Sequence, residues 1–149
     1  MVTVGYDVSI ARSPQDVFDY ITTIEEYADW QREAGLTGAR RLTPGPIGPG
    51  SRFVLERRGR RGGTAAIECE VTAFDRPQRF TFHGSDSDGF TSDFDTTLTP
   101  EAGGTHLHWD VRMAPPNLLM RLLQPMIRRE ILRSARLDFP ALKARLEAR

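Results

Sequence analysis

The chain has 149 residues, and its 39% hydrophobic and 27% charged side chains describe a globular protein, neither disordered nor fibrous. That length suits a single domain spanning residues 1–149 with a core of its own. Twenty basic residues balance 20 acidic ones, so the long-range field of a dedicated nucleic-acid binder is missing and no nucleic-acid partner is expected.

The zero net charge hides segregation. Residues 40–61 carry seven arginines against Glu56, whereas residues 81–102 carry five acids and no Lys or Arg. No apolar run approaches the ~18 to 20 residues that span a bilayer, so the protein is expected not to be transmembrane. The opening MVTVGYDVSI lacks a basic n-region and a small-residue cleavage site. With Cys69 as the one cysteine, no internal disulfide forms, and a cytoplasmic location is expected.

Thr3 to Arg12 alternates, with Val4, Tyr6, Val8 and Ile10 on one side and Gly5, Asp7, Ser9 and Ala11 on the other. That is the period of a half-buried strand. Ser13-Pro14-Gln15-Asp16 starts a helix: Ser13 suits the cap, Pro14 the first turn, and Asp16 the positive helix end. Thr23-Ile24-Glu25-Glu26 is a second start, with Glu26 placed for a capping box. Two short helices therefore follow the first strand, with Val17, Phe18, Ile21, Ile24, Tyr27, Ala28 and Trp30 as their apolar side chains.

Residues 36–43 suit a short strand before the Pro/Gly loop Pro44 to Gly50, where missing donors and free φ exclude regular structure. Strands are predicted at 51–58, 64–74, 79–84, 89–99 and 104–113. The turns between them are Gly59-Arg60-Arg61-Gly62-Gly63, Asp75-Arg76-Pro77, Ser85-Asp86-Ser87-Asp88 and Pro100 to Gly103. Connections this short force antiparallel neighbours. The result is a meander of about seven strands if the first pairs with the last.

Beyond Pro115-Pro116 the chain reads as helix. Leu119, Leu123, Ile127, Ile131, Ala135, Leu142 and Leu146 recur near one or two turns apart, with arginines on the other faces. Pro125 and Pro140 either kink this helix or begin new segments, and the pattern leaves both open. The fold class is thus α+β: a curved antiparallel sheet whose apolar face is covered by a long C-terminal helix.

Several stretches carry a family likeness: the run from Ile10 through Ser13-Pro14-Gln15-Asp16-Val17-Phe18 to Ile21, with Tyr27 and Trp30 after it; Gly48-Pro49-Gly50-Ser51-Arg52-Phe53; Glu70-Val71 with Asp75-Arg76-Pro77; and Gly103-Gly104-Thr105. On these the chain resembles the START-like, Bet v 1-like (SRPBCC) superfamily, particularly its bacterial polyketide cyclase/dehydrase and lipid-transport group. The resemblance implies a helix-grip architecture, in which the sheet wraps the helix and leaves an apolar cavity for a small lipophilic molecule.

Strand parity supplies the candidate wall. Tyr6, Val8, Phe53, Leu55, Ile67, Cys69, Phe80 and Phe82 fall on the apolar side of their strands. Phe90, Phe94, Leu107, Trp109 and Val111 join them from the last two strands, and Leu123, Ile127 and Ile131 face them from the helix. The competing reading for each is plain core packing. Ser92 and Thr96 share the inward parity of Phe90 and Phe94 and suit the few polar groups that orient a ligand.

Tyr6 and His83 are the titratable side chains near this wall and the candidates for acid–base catalysis. Cys69, flanked on its face by Ile67 and Val71, reads as an inert buried thiol. His106 and His108 lie about 6.5–7 Å apart on one strand face. With Asp93 or Asp95 from the neighbouring strand they would approach a metal site, but their parity is that of a solvated face, and no metal is expected. The register stays open between Asp95 opposite His108 and Asp93 opposite Arg112. Glu68 and Glu70 are expected to face arginines such as Arg52 and Arg58 across a strand. Arg57-Arg58-Gly59-Arg60-Arg61 reads as a solubilising hairpin tip, and the Gly45 to Gly50 loop as a connector bordering the pocket mouth.

These readings favour a carrier or sequestering protein for a lipophilic ligand, with no cofactor, acting as a monomer or weak dimer. A polyketide cyclase or dehydratase-type enzyme is the alternative. A protein- or ribosome-interaction module using the arginines of the last helix is the second alternative.

Overall fold

The computed structural model describes residues 1–59 and 62–149; Arg60 and Arg61, the outer half of the expected basic tip, lie outside the described residues. The chain forms β1 (Val2–Ile10), α1 (Pro14–Ile21), a 3-10 turn (Ile24–Glu26), α2 (Tyr27–Gln31) and β2 (Leu36–Arg41). Then follow β3 (Arg52–Arg58), β4 (Thr64–Asp75), β5 (Arg79–Asp86), β6 (Thr91–Glu101), β7 (Gly104–Ala114), α3 (Leu118–Leu122) and α4 (Gln124–Glu147).

Among the described residues seven strands make one antiparallel sheet in the order β1-β7-β6-β5-β4-β3-β2. The pairing of β1 with β7 brings the two ends of the meander together. A register irregularity between Val71 and Ala73 interrupts the β4–β5 ladder, the kind of break that bends a long strand and strengthens its twist. It lets the twelve-residue β4 curve with its neighbours.

Local chemistry accounts for the helices. Ser13 Oγ accepts from Asp16 N–H at 3.1 Å, and Pro14 occupies the first turn of α1. The expected capping box at Thr23 does not form: its hydroxyl donates to the Asp19 carbonyl at 2.7 Å, and Glu26 N–H donates to the Thr23 carbonyl instead. That hydroxyl is spent on the end of α1, and a 3-10 turn leads into α2. Pro125 sits in the first turn of α4, where its missing N–H costs nothing. Pro140 lies inside α4. Pro140 and Arg136, whose carbonyl loses its partner, are both exposed, so water satisfies that carbonyl and the helix continues.

The inner sheet face and α4 enclose two apolar clusters. One joins Val17, Phe18 and Ile21 of α1 with Tyr27, Trp30, Phe53, Phe80, Leu107, Phe139, Leu142 and Leu146. The other joins Val2, Val4, Phe90, Val111 and Ile127, with Met120, Leu123 and Ile131 packed against them. Arg12 binds the C-terminal end of α4, donating to the Leu146 carbonyl at 2.7 Å while pairing with Asp16 at 2.9 Å. A cation there meets the negative helix end. Ala11 N–H donates to Glu147 Oε2 at 2.8 Å, fastening the end of β1 to the same turn.

Gly104 begins β7 where the backbone passes closest to the end of β1. A Cβ at that position would overlap the Ile10 carbonyl oxygen and lie 2.9 Å from Ala11 Cα. Both obstacles are backbone. Gly104→Ala is therefore expected to cost about 2 kcal/mol, through the displacement of β1, read as a lower urea midpoint. An unchanged midpoint would show that β1 gives way freely.

Candidate functional site

Between the sheet and α4 lies a cavity of about 320 Å3, lined by members of both apolar clusters. Its walls rise from the middle of the sheet. Leu55, Ile67, Phe80, Phe82, Phe90, Ser92, Phe94, Thr96 and Trp109 line it from β3 to β7, and Ile127 and Ile131 from α4. Phe82 stacks on Phe94 at 4.7 Å between ring centroids, Phe94 lies 6.5 Å from Trp109, and Trp109 lies 5.3 Å from Phe139. The four rings form a continuous aromatic chain along the wall.

Gly84 leaves the space open. It has the inward parity of Phe82, yet a Cβ there would sit 3.0 Å from Ile67 Cγ2 and 3.5 Å from both Cys69 Sγ and Phe94 Cε2. Glycine at this strand position keeps side-chain volume out of the cavity.

Five expected wall residues lie elsewhere, each for a packing reason. Tyr6 and Val8 face inward, but α4 lies against β1, and Phe139 stacks on the Tyr6 ring at 5.4 Å. Phe53 is covered by Tyr27 and Phe82, with ring centroids at 6.3 and 5.1 Å. Cys69 is buried opposite Phe53 and Gly84, its thiol pushed up to about 12 by burial. Leu123 packs into the second cluster at the start of α4.

The acid–base candidates are also displaced. Tyr6 lies beneath Phe139, outside the cavity lining. His83 is on the outer face of β5, its Nδ1 2.9 Å from Asp93 Oδ1. The β6–β7 register sets Asp93 opposite Arg112 and Asp95 opposite Asp110, so Thr97 is the partner of His108. Asp95 pairs with Arg79 at 2.8 Å. His106 and His108 instead share Asp7 of β1, whose Oδ1 lies 2.9 Å from His106 Nε2 and 2.9 Å from His108 Nδ1. Those contacts, led by His108, hold the Asp7 carboxyl below its ordinary value. Arg52 does lie opposite Glu70, but Glu68 faces Val54, and Arg58 faces Thr64. The Gly45 to Gly50 loop is absent from the cavity lining; it closes on β4 instead, Gly50 N–H donating to the Val71 carbonyl at 2.8 Å.

Polar groups enter the cavity from elements that pattern alone did not single out. Asp138 of α4 is only 9% exposed and lines the cavity. Its Oδ1 has no hydrogen-bond partner among the described residues, and neither does Trp30 Nε1, on a side chain 6% exposed that lines the same cavity. Burial pushes the Asp138 carboxyl up to about 7, against the pull of Arg57. Tyr27 also lines the cavity, and burial raises its phenol above the ordinary value. The exposed rim carries Arg58, Asp88 and Glu130, with the half-buried Gln31, Arg57 and Asp86 beside them. Asp86 Oδ1 accepts from the N–H groups of Asp88 and Phe90 at 2.9 and 3.1 Å, which orders the turn at this rim. Asp138 was discoverable: it follows Ile127, Ile131 and Ala135 at helical spacing, a polar gap in an apolar stripe.

A helix laid across a curved seven-stranded sheet with a cavity between them has known relatives. The family model described as polyketide cyclase / dehydrase and lipid transport matches residues 1–147. The chain belongs to that family. Among curated proteins, none matches the sequence. Solved structures share the fold: a START superfamily protein from Mycobacterium smegmatis has a TM-score of 0.78 at 17% identity, covering 98% of this chain and 97% of that one. A protein from Thermus thermophilus reaches 0.80 at 16% identity, covering 98% and 97%. Ara h 8.0201 reaches 0.69 at 16% identity, covering 99% and 98%. The expected helix-grip, START-like and Bet v 1-like architecture is thus the one the chain adopts. No helix among the described residues is long and apolar enough to cross a membrane.

Proposed function

We propose that the protein binds a small lipophilic molecule in the cavity between sheet and α4, and carries or sequesters it. The observation that supports this is the cavity itself: about 320 Å3, walled by aromatic rings and kept clear by Gly84. That volume lies at the lower end of the roughly 300–1,000 Å3 typical of small-molecule pockets. Burying an apolar ligand there gains about 25 cal/mol for each Å2 removed from water. The family description, which includes lipid transport, agrees with the reading.

N-phenyl-1-naphthylamine, a neutral probe that brightens out of water, tests it. Saturable one-to-one binding with a Kd of about 1–10 μM is expected, corresponding to roughly 7–8 kcal/mol. A linear, unsaturable rise would overturn the reading.

A second reading, an enzyme of polyketide cyclase or dehydratase type, draws on Asp138. A carboxyl poised at about 7 in an apolar wall has the proton affinity that general acid–base chemistry uses at neutral pH. Turnover of a poly-β-keto thioester that disappears in Asp138→Asn would favour the enzyme. The interaction-module alternative gains nothing comparable. Arg128 donates to the Thr3 carbonyl, Arg133 to Glu130 and Arg145 to the Asp29 carbonyl, so these α4 arginines are engaged within the chain.

A further inference from the structure

The largely apolar cavity wall holds two buried polar atoms that have no hydrogen-bond partner among the described residues. Asp138 Oδ1 is an acceptor and Trp30 Nε1 a donor, and both side chains are more than nine-tenths buried. Both residues line the same cavity, Trp30 from α2 and Asp138 from α4, and the two helices meet there with the Trp30 ring 5.7 Å from the ring of Phe139. Leaving a buried donor or acceptor unpaired is destabilising, and more so for a charged group. Buried polar groups in native proteins find a partner in the great majority of cases, in the chain, in ordered water or in a ligand.

We propose that the cavity selects an uncharged apolar molecule with a hydroxyl head group, anchored by donation to Asp138 and by acceptance from Trp30. This rests on the ligand-binding reading above and narrows it to a chemical class. A hydroxyl both donates and accepts, so one ligand group offers a partner of the right kind to each orphan atom. A carboxylate head would satisfy the indole N–H but set a second negative charge beside Asp138. An ammonium head would satisfy Asp138 but offers the indole no acceptor. A hydrocarbon or an ether leaves the carboxyl unpaired. Specificity built this way is steep, because the analogue lacking the hydroxyl strands the site's own polar groups.

Of the rim charges, the half-buried Arg57 acts on Asp138, and its pull is weaker than the burial that raises the carboxyl. Arg57, Arg58, Asp86, Asp88 and Glu130 mix both signs there, and Arg58, Asp88 and Glu130 are exposed and open to screening by water. Within the wall itself, Tyr27, Ser92, Thr96 and Ser134 are neutral hydroxyl bearers. Asp138 therefore sets the local charge where the ligand's head would lie.

The test is titration calorimetry at pH 8 with 1-octanol, methyl octyl ether and octanoate, three molecules that share an alkyl chain and differ in the head. Octanol is expected to bind at least tenfold more tightly than either of the others. In Asp138→Leu and in Trp30→Phe, octanol is expected to fall to within about twofold of the ether, with far-UV circular dichroism unchanged. Asp138→Asn, which keeps the shape and removes the charge, is expected to regain octanoate binding relative to octanol. Equal binding of all three ligands, a preference for octanoate, or a preference unchanged in folded Asp138→Leu would overturn the hydroxyl proposal while leaving the lipophilic pocket intact. Failure of all three, together with failure of N-phenyl-1-naphthylamine, would overturn both.

Discussion

Asp138→Asn is expected to stabilise the protein by roughly 4 kcal/mol at pH 8 and by almost nothing at pH 4. The figure follows from linkage between the ordinary carboxyl value of 3.8 and the folded value of about 7. The folded state holds the Asp138 proton more tightly than the unfolded chain does. Folding is therefore favoured most below 3.8, where both states are protonated. That advantage is lost as pH rises through about 7, and above it the full cost of a buried anion remains. Asp7, Asp19 and Glu147 act in the opposite sense, because their partners lower their values in the fold. Their stabilisation is present above the ordinary carboxylate range and fades as pH falls through their folded values, and its size is small because they are largely exposed. Wild-type stability should thus peak in mildly acid solution and decline towards pH 8. Urea denaturation from pH 4 to pH 9 reads the difference. A gain in Asp138→Asn that is flat across that range would show that burial is not what holds the proton on.

The same substitution links stability to function. A residue whose charge destabilises the fold and whose acceptor lines a largely apolar cavity has the profile of a site kept for binding at the expense of stability. Ordinary core packing would place leucine there, as it does four residues later at Leu142, which is fully buried.

Much of the fold is legible because its signals are local. Alternation on β1, β4 and β7, the short turns between consecutive strands, and Ser13 with Pro14 at the start of α1 each specify a conformation within a few residues. The two prolines of the C-terminal helix are different, because proline's cost depends on which side of the helix meets water. Pro140 is tolerated only because Arg136 and Pro140 are both exposed. Register between β6 and β7 is likewise set by the whole inner face, with Phe94 opposite Val111 and Thr96 opposite Trp109, and the Pro100 to Gly103 turn does not choose it.

The site divides along the same line. Parity identifies inward side chains such as Phe82 and Trp109, but it cannot say where the helix will lie. Because α4 rests on β1, Tyr6 becomes core and the cavity opens over β3 to β7 instead. Cys69 and Phe53 face inward too, yet Tyr27 packs on Phe53 beside the thiol and closes that end. The polar anchor was hidden for another reason. Asp138 and Trp30 are 108 residues apart in the sequence and acquire a common purpose only when α2 and α4 meet over the sheet.

Filling the cavity separates ligand binding from every other property of the fold. Ser134 lines the cavity from α4, one turn before Asp138, and is half-buried. Ser134→Trp projects an indole into the space that a ligand would occupy. Since the added volume enters a void, the overpacking penalty of roughly 1–3 kcal/mol is largely avoided. Buried aromatic area offsets the loss of the serine hydroxyl. Stability is expected to stay within about 1 kcal/mol of wild type. Affinity for N-phenyl-1-naphthylamine is expected to fall roughly a hundredfold, equivalent to about 2.7 kcal/mol. Thermal melting and the probe titration, made on the same sample, read the two effects independently. Undiminished affinity in a folded Ser134→Trp protein would mean that the probe binds outside the cavity, and the carrier reading would then lose the observation that supports it.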